Sequence, residues 1–151
     1  MLIASVDPHK AKIAIAVWSA CVHPSGKRTG TLKSYELIKA PLDSLVDWAL
    51  YRKRAYDLLV IETPQIYPGE RVKDPNDLLD VAKTVGLCHV IAREVIEYRP
   101  AQWKGQTPKK IHQKRIKSLL SPSELAILGN MQDQSDVLDA VGIGLKYLGR
   151  M

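Results

Sequence analysis

The run Leu58-Leu59-Val60-Ile61, closing on Glu62, limits what this chain can fold into more than any other stretch. A short, nearly continuous apolar segment from Asp57 to Glu62 suits a central strand covered on both faces, because a strand with one wet face would alternate. Such a strand requires neighbours on both sides and helices above and below it. A carboxylate closing a buried run rarely stands there without a partner, so Glu62 also predicts a site at that strand end.

The segments before it supply the neighbours. Leu2 to Val6 and Lys12 to Trp18 read as two strands, the second alternating with Ile13, Ile15 and Val17 on one face. Asp7-Pro8-His9-Lys10 is the expected turn between them. A turn-rich basic loop, Pro24 to Gly30, leads to a third strand over Thr31 to Ile38. Pro41-Leu42-Asp43 opens a helix to about Arg54. After the apolar strand, Pro75-Asn76-Asp77 opens a second helix to about Arg93, Val95 to Tyr98 is an edge strand, and 109–117 is a basic helix whose apolar edge reads as Ile111, Arg115, Ile116, Leu119 and Leu120. A short turn after Ser121-Pro122-Ser123-Glu124 leads to the terminal helix. The order β-β-β-α-β-α-β-α, antiparallel first and then alternating, predicts an α/β fold: a mixed five-stranded sheet with helices on both faces.

The terminal helix carries the second chemical signal. Asp136 and Asp139 lie three residues apart, one turn along a single face, beside the apolar stripe Val137, Ala140, Val141, Gly144, Leu145 and Leu148. Like charges at that spacing repel unless something positive lies between them. Asp133 is read as the helix N-cap. Asp7 and Glu62, at the ends of strands one and four, emerge at one sheet edge if those strands are neighbours, and α/β sheets hold their ligands at such ends. Four converging carboxylates call for a hard divalent cation, Mg²⁺ or Mn²⁺ rather than Zn²⁺.

Charge agrees with an anionic partner. The 151 residues carry 22 Lys plus Arg against 16 Asp plus Glu, a net charge of +6 and a pI near 9.3, which favours nucleic acid. Composition is that of an ordinary globular protein, with 46% hydrophobic and 25% charged residues, and the length suits one domain spanning 1–151. Cys21 and Cys88 lack metal or disulfide spacing and are expected as reduced thiols in a cytoplasmic setting. No apolar stretch is long enough for a signal core or a membrane span.

Four pieces in order, Ile3-Ala4-Ser5-Val6-Asp7-Pro8, Leu59-Val60-Ile61-Glu62, Trp103-Lys104 before the basic helix, and Asp136-Val137-Leu138-Asp139-Ala140, resemble the RuvC-like Holliday junction resolvases of the RNase H-like superfamily. The likeness spans nearly the whole chain. It implies an RNase H-like fold and a homodimer that holds a four-way DNA junction and makes one Mg²⁺-dependent nick per active site. By position it implies Asp7, Glu62, Asp136 and Asp139 as metal ligands. Lys104 and Lys110 then match the family's active-site and phosphate-contacting lysines, with Lys109 as a substitute for Lys110. Lys114 and Arg115 would add phosphate contacts on the basic helix, and Tyr67 would stack at the junction. His9 stands where the family has glycine.

The plainer readings are a turn aspartate at Asp7, a solvated basic helix, a packing role for Trp103 and a core role for His89, while His9 and His112 are expected near DNA. The Asp-Pro-His-Lys opening and Glu62-Thr63-Pro64 also resemble the nuclease domain of DEDD transposases. The alternatives are therefore an RNase H-like nuclease acting on pre-ribosomal RNA or transposon ends, or a branched-DNA-binding module without catalysis.

Overall fold

The computed structural model describes residues 1–64, 74–129 and 135–151. Five strands, β1 (Leu2–His9), β2 (Lys12–Val22), β3 (Arg28–Lys39), β4 (Tyr56–Glu62) and β5 (Ala92–Tyr98), form one sheet in the order β3-β2-β1-β4-β5. The β3-β2-β1 portion is antiparallel, whereas β4 runs parallel to both β1 and β5. The apolar run 58–61 is therefore central, as its pattern predicts, and both faces of the sheet are covered.

Alternation in β2 sorts the two faces. Ile13 and Ile15 join Ala4, Val6, Leu59 and Ile61 against Leu45 and Ala49 of α1 (Leu42–Tyr51) and Val85 and Cys88 of α2 (Pro75–His89). On the opposite face β2 presents Ala14, Ala16 and Trp18 beside Ile3, Leu58 and Val60. Ala14 and Ala16 leave room for α6 (Ser135–Tyr147) to come close to the sheet. Gly144 permits that approach: a Cβ there would stand 2.3 Å from Trp18 Nε1 and 2.8 Å from Ser5 Oγ. The indole N–H donates to Ser5 Oγ at 2.8 Å, so the polar atoms beneath the helix are satisfied.

The far side of α6 is covered by α3 (Pro100–Trp103) and α4 (Lys109–Ser118), while α5 (Pro122–Leu128) closes over β3. The helix is thus buried nearly all round, not on one stripe, because Trp103 and Ile116 pack against it at Gly142. Buried Glu124 pins α5. Its carboxylate takes Arg150 at 2.8 Å on each oxygen and the Leu32 backbone N–H at 3.0 Å, and it completes the Ser121 capping box.

Several local expectations shift. β1 continues through His9, and the turn is only Lys10-Ala11, because His9 pairs with Lys12 across the hairpin. Ala11 takes a positive φ of 52° there. Strand β2 runs on to Val22, β3 begins within the basic loop at Arg28, and α1 and α2 end earlier than their apolar periodicity suggests, with β5 starting at Ala92. The buried edge of α4 is His112 and Ile116, with Leu120 buried just beyond its end, while Ile111 is exposed. His89 is half-buried rather than core and reaches Glu97 at 3.1 Å. Cys21 and Cys88 are free thiols, and burial pushes Cys88 up to about 12. Among the described residues no helix is long and apolar enough to cross a membrane.

Candidate active site

The parallel register of β1 and β4 creates the first half of the site. Val6 pairs with Ile61, so Asp7 and Glu62 follow one residue later on adjacent strands, on the face that carries α6. Asp7 lies inside the β1–β2 ladder opposite Ala14, not in a turn, and is 3% exposed. That placement gives it a fixed backbone on both sides.

The second half comes from the first two turns of α6. Asp139 is 5% exposed, and Asp136, one turn earlier, is half-buried. Glu62, Asp136 and Asp139 each meet a basic partner from another element, and Asp7 meets His9 of its own strand. Lys104, at the end of α3, lies 3.0 Å from Glu62 Oε2, and Trp103 donates its indole N–H to the same oxygen at 2.5 Å. Lys109, in the first turn of α4, lies 3.2 Å from Asp139 and 4.0 Å from Asp136. Lys12 donates to Asp136 Oδ2. His9 Nε2 stands between the two halves, 3.1 Å from Asp7 Oδ2 and 3.3 Å from Asp136 Oδ1. Between Lys104 and Lys109 the chain reverses at Gly105, whose φ of +58° an L side chain rarely adopts.

Electrostatics divides the four acids. Burial, and then the charge of Asp7, raise Glu62 above the ordinary carboxylate range despite Lys104 and Trp103. Asp139 is raised for the same two reasons, in the same order, despite Lys109. At Asp136 burial acts upward but is outweighed by the Lys12 hydrogen bond and the charges of His9, Lys12 and Lys109, so its net shift is downward. The hydrogen bond with Asp7 raises His9, against desolvation. The lysines therefore do not fully offset burial and the charge of Asp7 at Glu62 and Asp139. Among the described residues, Asp7, His9 and Asp136 bring one ligand-capable atom each within 4.8 Å of one another, a spacing that could hold a cation.

Beside the acids lies a cleft of about 280 Å³ lined by Lys104, Gly105, Gln106, Thr107, Lys109, His112 and Asp139. His112 is 3% exposed and packs edge-on against Trp103 with ring centroids 5.0 Å apart. Burial holds its pKa down, and its Nε2 has no hydrogen-bond partner among the described residues.

The sequence-derived residues separate clearly. Asp7, Glu62, Asp136, Asp139, Lys104 and Lys109 are brought together, whereas Lys110, Lys114 and Arg115 are exposed on α4 with no ion pair among the described residues. Tyr67 and Asp133 lie outside the described residues. Sequence reasoning missed Lys12 altogether and did not place His9 among the acids. The signal for both was the hairpin register: a two-residue turn makes 9 and 12 direct partners, which a four-residue turn at 7–10 conceals. Trp103 packs, as expected, but is also a hydrogen-bond donor to Glu62.

No protein-family model and no curated protein sequence matches the chain. Solved structures do. Thermus thermophilus RuvC superposes with a TM-score of 0.63 at 16% identity, covering 99% of this chain and 98% of that one. T. thermophilus RuvC in complex with Holliday junction substrate gives 0.65 at 17%, covering 96% and 91%. The fowlpox virus Holliday junction resolvase gives 0.59 at 19%, covering 99% and 98%. The chain therefore has the RNase H-like fold of the RuvC-like resolvases over essentially its full length.

Proposed function

We propose that this chain is a divalent-metal-dependent endonuclease, a single RNase H-like nuclease domain that resolves Holliday junctions and related branched DNA by paired nicks. The observation that carries the reading is the placement of Asp7 and Glu62 at adjacent parallel strand ends beneath the first two turns of α6, where the charge of Asp7 acts on both Glu62 and Asp139 and where Asp7 and Asp136 share His9. The solved structures that share the fold include T. thermophilus RuvC and a fowlpox virus resolvase in complex with Holliday junction DNA, which favours a branched-DNA substrate over the other nucleic acids.

Oxygen donors alone suit Mg²⁺, with Mn²⁺ as substitute, and Asp7, Glu62, Asp136 and Asp139 would hold it. When bound, the ion supplies activation of a water and stabilisation of charge on the departing 3′-oxygen in phosphodiester hydrolysis. The protein's own groups do the rest. Trp103 and Lys104 fix Glu62 from one side, so its oxygens keep one orientation. Lys104 and Lys109 flank the cleft, where they would stabilise negative charge on the scissile phosphate or grip its neighbour. Lys110, Lys114 and Arg115, exposed on α4, would add sequence-independent phosphate contacts. A homodimer would place two such sites on one junction and so account for symmetric nicks.

Asp7→Asn tests the reading. It keeps the volume and removes the charge, so the variant should bind a synthetic four-way junction with wild-type affinity and fail to cut it. Retained cutting would remove Asp7 from the chemistry and with it the four-carboxylate site.

A further inference from the structure

The acids converge not only on one another but on an imidazole. His9 Nε2, Asp7 Oδ2 and Asp136 Oδ1 come from β1 and α6, and one ligand-capable atom from each residue lies within 4.8 Å of the others. Two donors at right angles on a first-row divalent ion, each about 2.1 Å away, stand about 3.0 Å apart. The observed separations of 3.1 and 3.3 Å are close to that edge length. The ring is set by the ladder, because His9 pairs with Lys12 across a two-residue turn. Charge balance alone does not call for it at Asp136, since Lys12 already meets Oδ2 and Lys109 approaches Oδ1 at 4.0 Å. The His9 side chain is 38% exposed, which leaves a route for an ion to enter.

We infer that His9 is a metal ligand. It turns the Asp7–Asp136 side of the site into a mixed nitrogen–oxygen set that takes Mn²⁺ in preference to Mg²⁺. Imidazole nitrogen binds borderline transition ions well and Mg²⁺ poorly, so one such ligand shifts selectivity without changing the carboxylates. The inference rests on the metal-dependent nuclease reading, and its test separates the two.

The full chain is loaded with Mn²⁺ alone and studied by three-pulse electron spin-echo envelope modulation, with calorimetric titrations of Mn²⁺ and Mg²⁺ alongside. The wild type should show the ¹⁴N modulation of a directly bound imidazole. His9→Gln should lose that modulation and about tenfold in Mn²⁺ affinity, with Mg²⁺ affinity nearly unchanged. Bound Mn²⁺ without ¹⁴N modulation, or modulation that persists in His9→Gln, overturns the inference. If such a protein still cuts junctions with Mg²⁺, the nuclease reading stands alone. Failure of the wild type to bind either ion overturns both.

Discussion

Gly144→Ala is expected to be among the most damaging single-methyl additions to this protein, and the structure gives the size of the effect. The new Cβ would stand 2.3 Å from Trp18 Nε1, 2.5 Å from its Cε2 and 2.8 Å from Ser5 Oγ. Trp18 and Ser5 are both fully buried, so neither can yield without moving the sheet or α6. Overpacking of this kind costs about 1–3 kcal/mol, and parting the Trp18–Ser5 hydrogen bond adds about 1–2 kcal/mol for a buried donor left unpaired. Alanine's better helix propensity returns about 1 kcal/mol. The net loss is about 3 kcal/mol, which at a urea slope of about 2 kcal/mol/M lowers the midpoint by about 1.5 M. Three other glycines calibrate the argument. Gly142→Ala meets Trp103 at 2.7 Å and should cost nearly as much, Gly30→Ala meets the movable end of Leu148 at 2.9 Å and the Ala20 Cβ at 3.2 Å and should cost less, and Gly86→Ala meets nothing within 4 Å and should stabilise α2 by about 0.5–1 kcal/mol. A Gly144→Ala midpoint within about 0.3 M of wild type, or no difference between Gly144→Ala and Gly86→Ala, would refute the close seating of α6 on which the site depends.

Glu124 governs stability in acid: burial alone would raise it, but Arg150 and the Ser121 and Leu32 N–H groups hold it down at about 2. Its folded value is depressed, so the contribution is complete above the unfolded value of about 4.5 and is lost as pH falls towards 2. It should amount to about 2–3 kcal/mol after allowance for the partly exposed guanidinium. Glu124→Gln should flatten that part of the stability–pH curve measured by urea unfolding, and an unchanged curve would contradict the pairing. Lys109→Ala should reduce junction cleavage at least tenfold, while Lys110→Ala should mainly weaken DNA binding and reduce its salt dependence by about one counterion. Equal cleavage rates for the two would contradict the geometry. Ala11→Gly relieves a left-handed alanine in the β1–β2 turn and should leave stability unchanged or raise it by up to about 1 kcal/mol in thermal unfolding, whereas a loss would show the turn to be unstrained.

The sheet was legible because periodicity encodes burial: the unbroken 58–61 run gives a doubly covered strand, and the alternation of Ile13, Ile15 and Val17 gives a sheet face. Asp7, Glu62, Asp136 and Asp139 could be singled out together as candidates because charges beside buried segments have few uses without partners. What local pattern could not give was register. A difference of two residues in the first turn conceals that His9 and Lys12 face each other, and with them the groups around Asp136. The apolar edge of α4 was misread for a related reason: His112 is buried by its contact with Trp103, a tertiary effect that hydrophobicity does not record, while Ile111 is left in water. The all-round burial of α6 likewise depends on helices distant in sequence. Between Lys109 and Lys110, one residue apart on a helix, only the docking of α4 against α6 decides which reaches the acids.

The most direct test of the central claim is a side-by-side cleavage assay with Mg²⁺ on a synthetic four-way junction and on linear duplexes made from its arms. The account predicts paired, symmetric nicks in the junction, little cutting of the duplexes, and no product when Mg²⁺ is withheld. Equal cutting of junction and duplex, or an inert protein that still binds the junction, would contradict it.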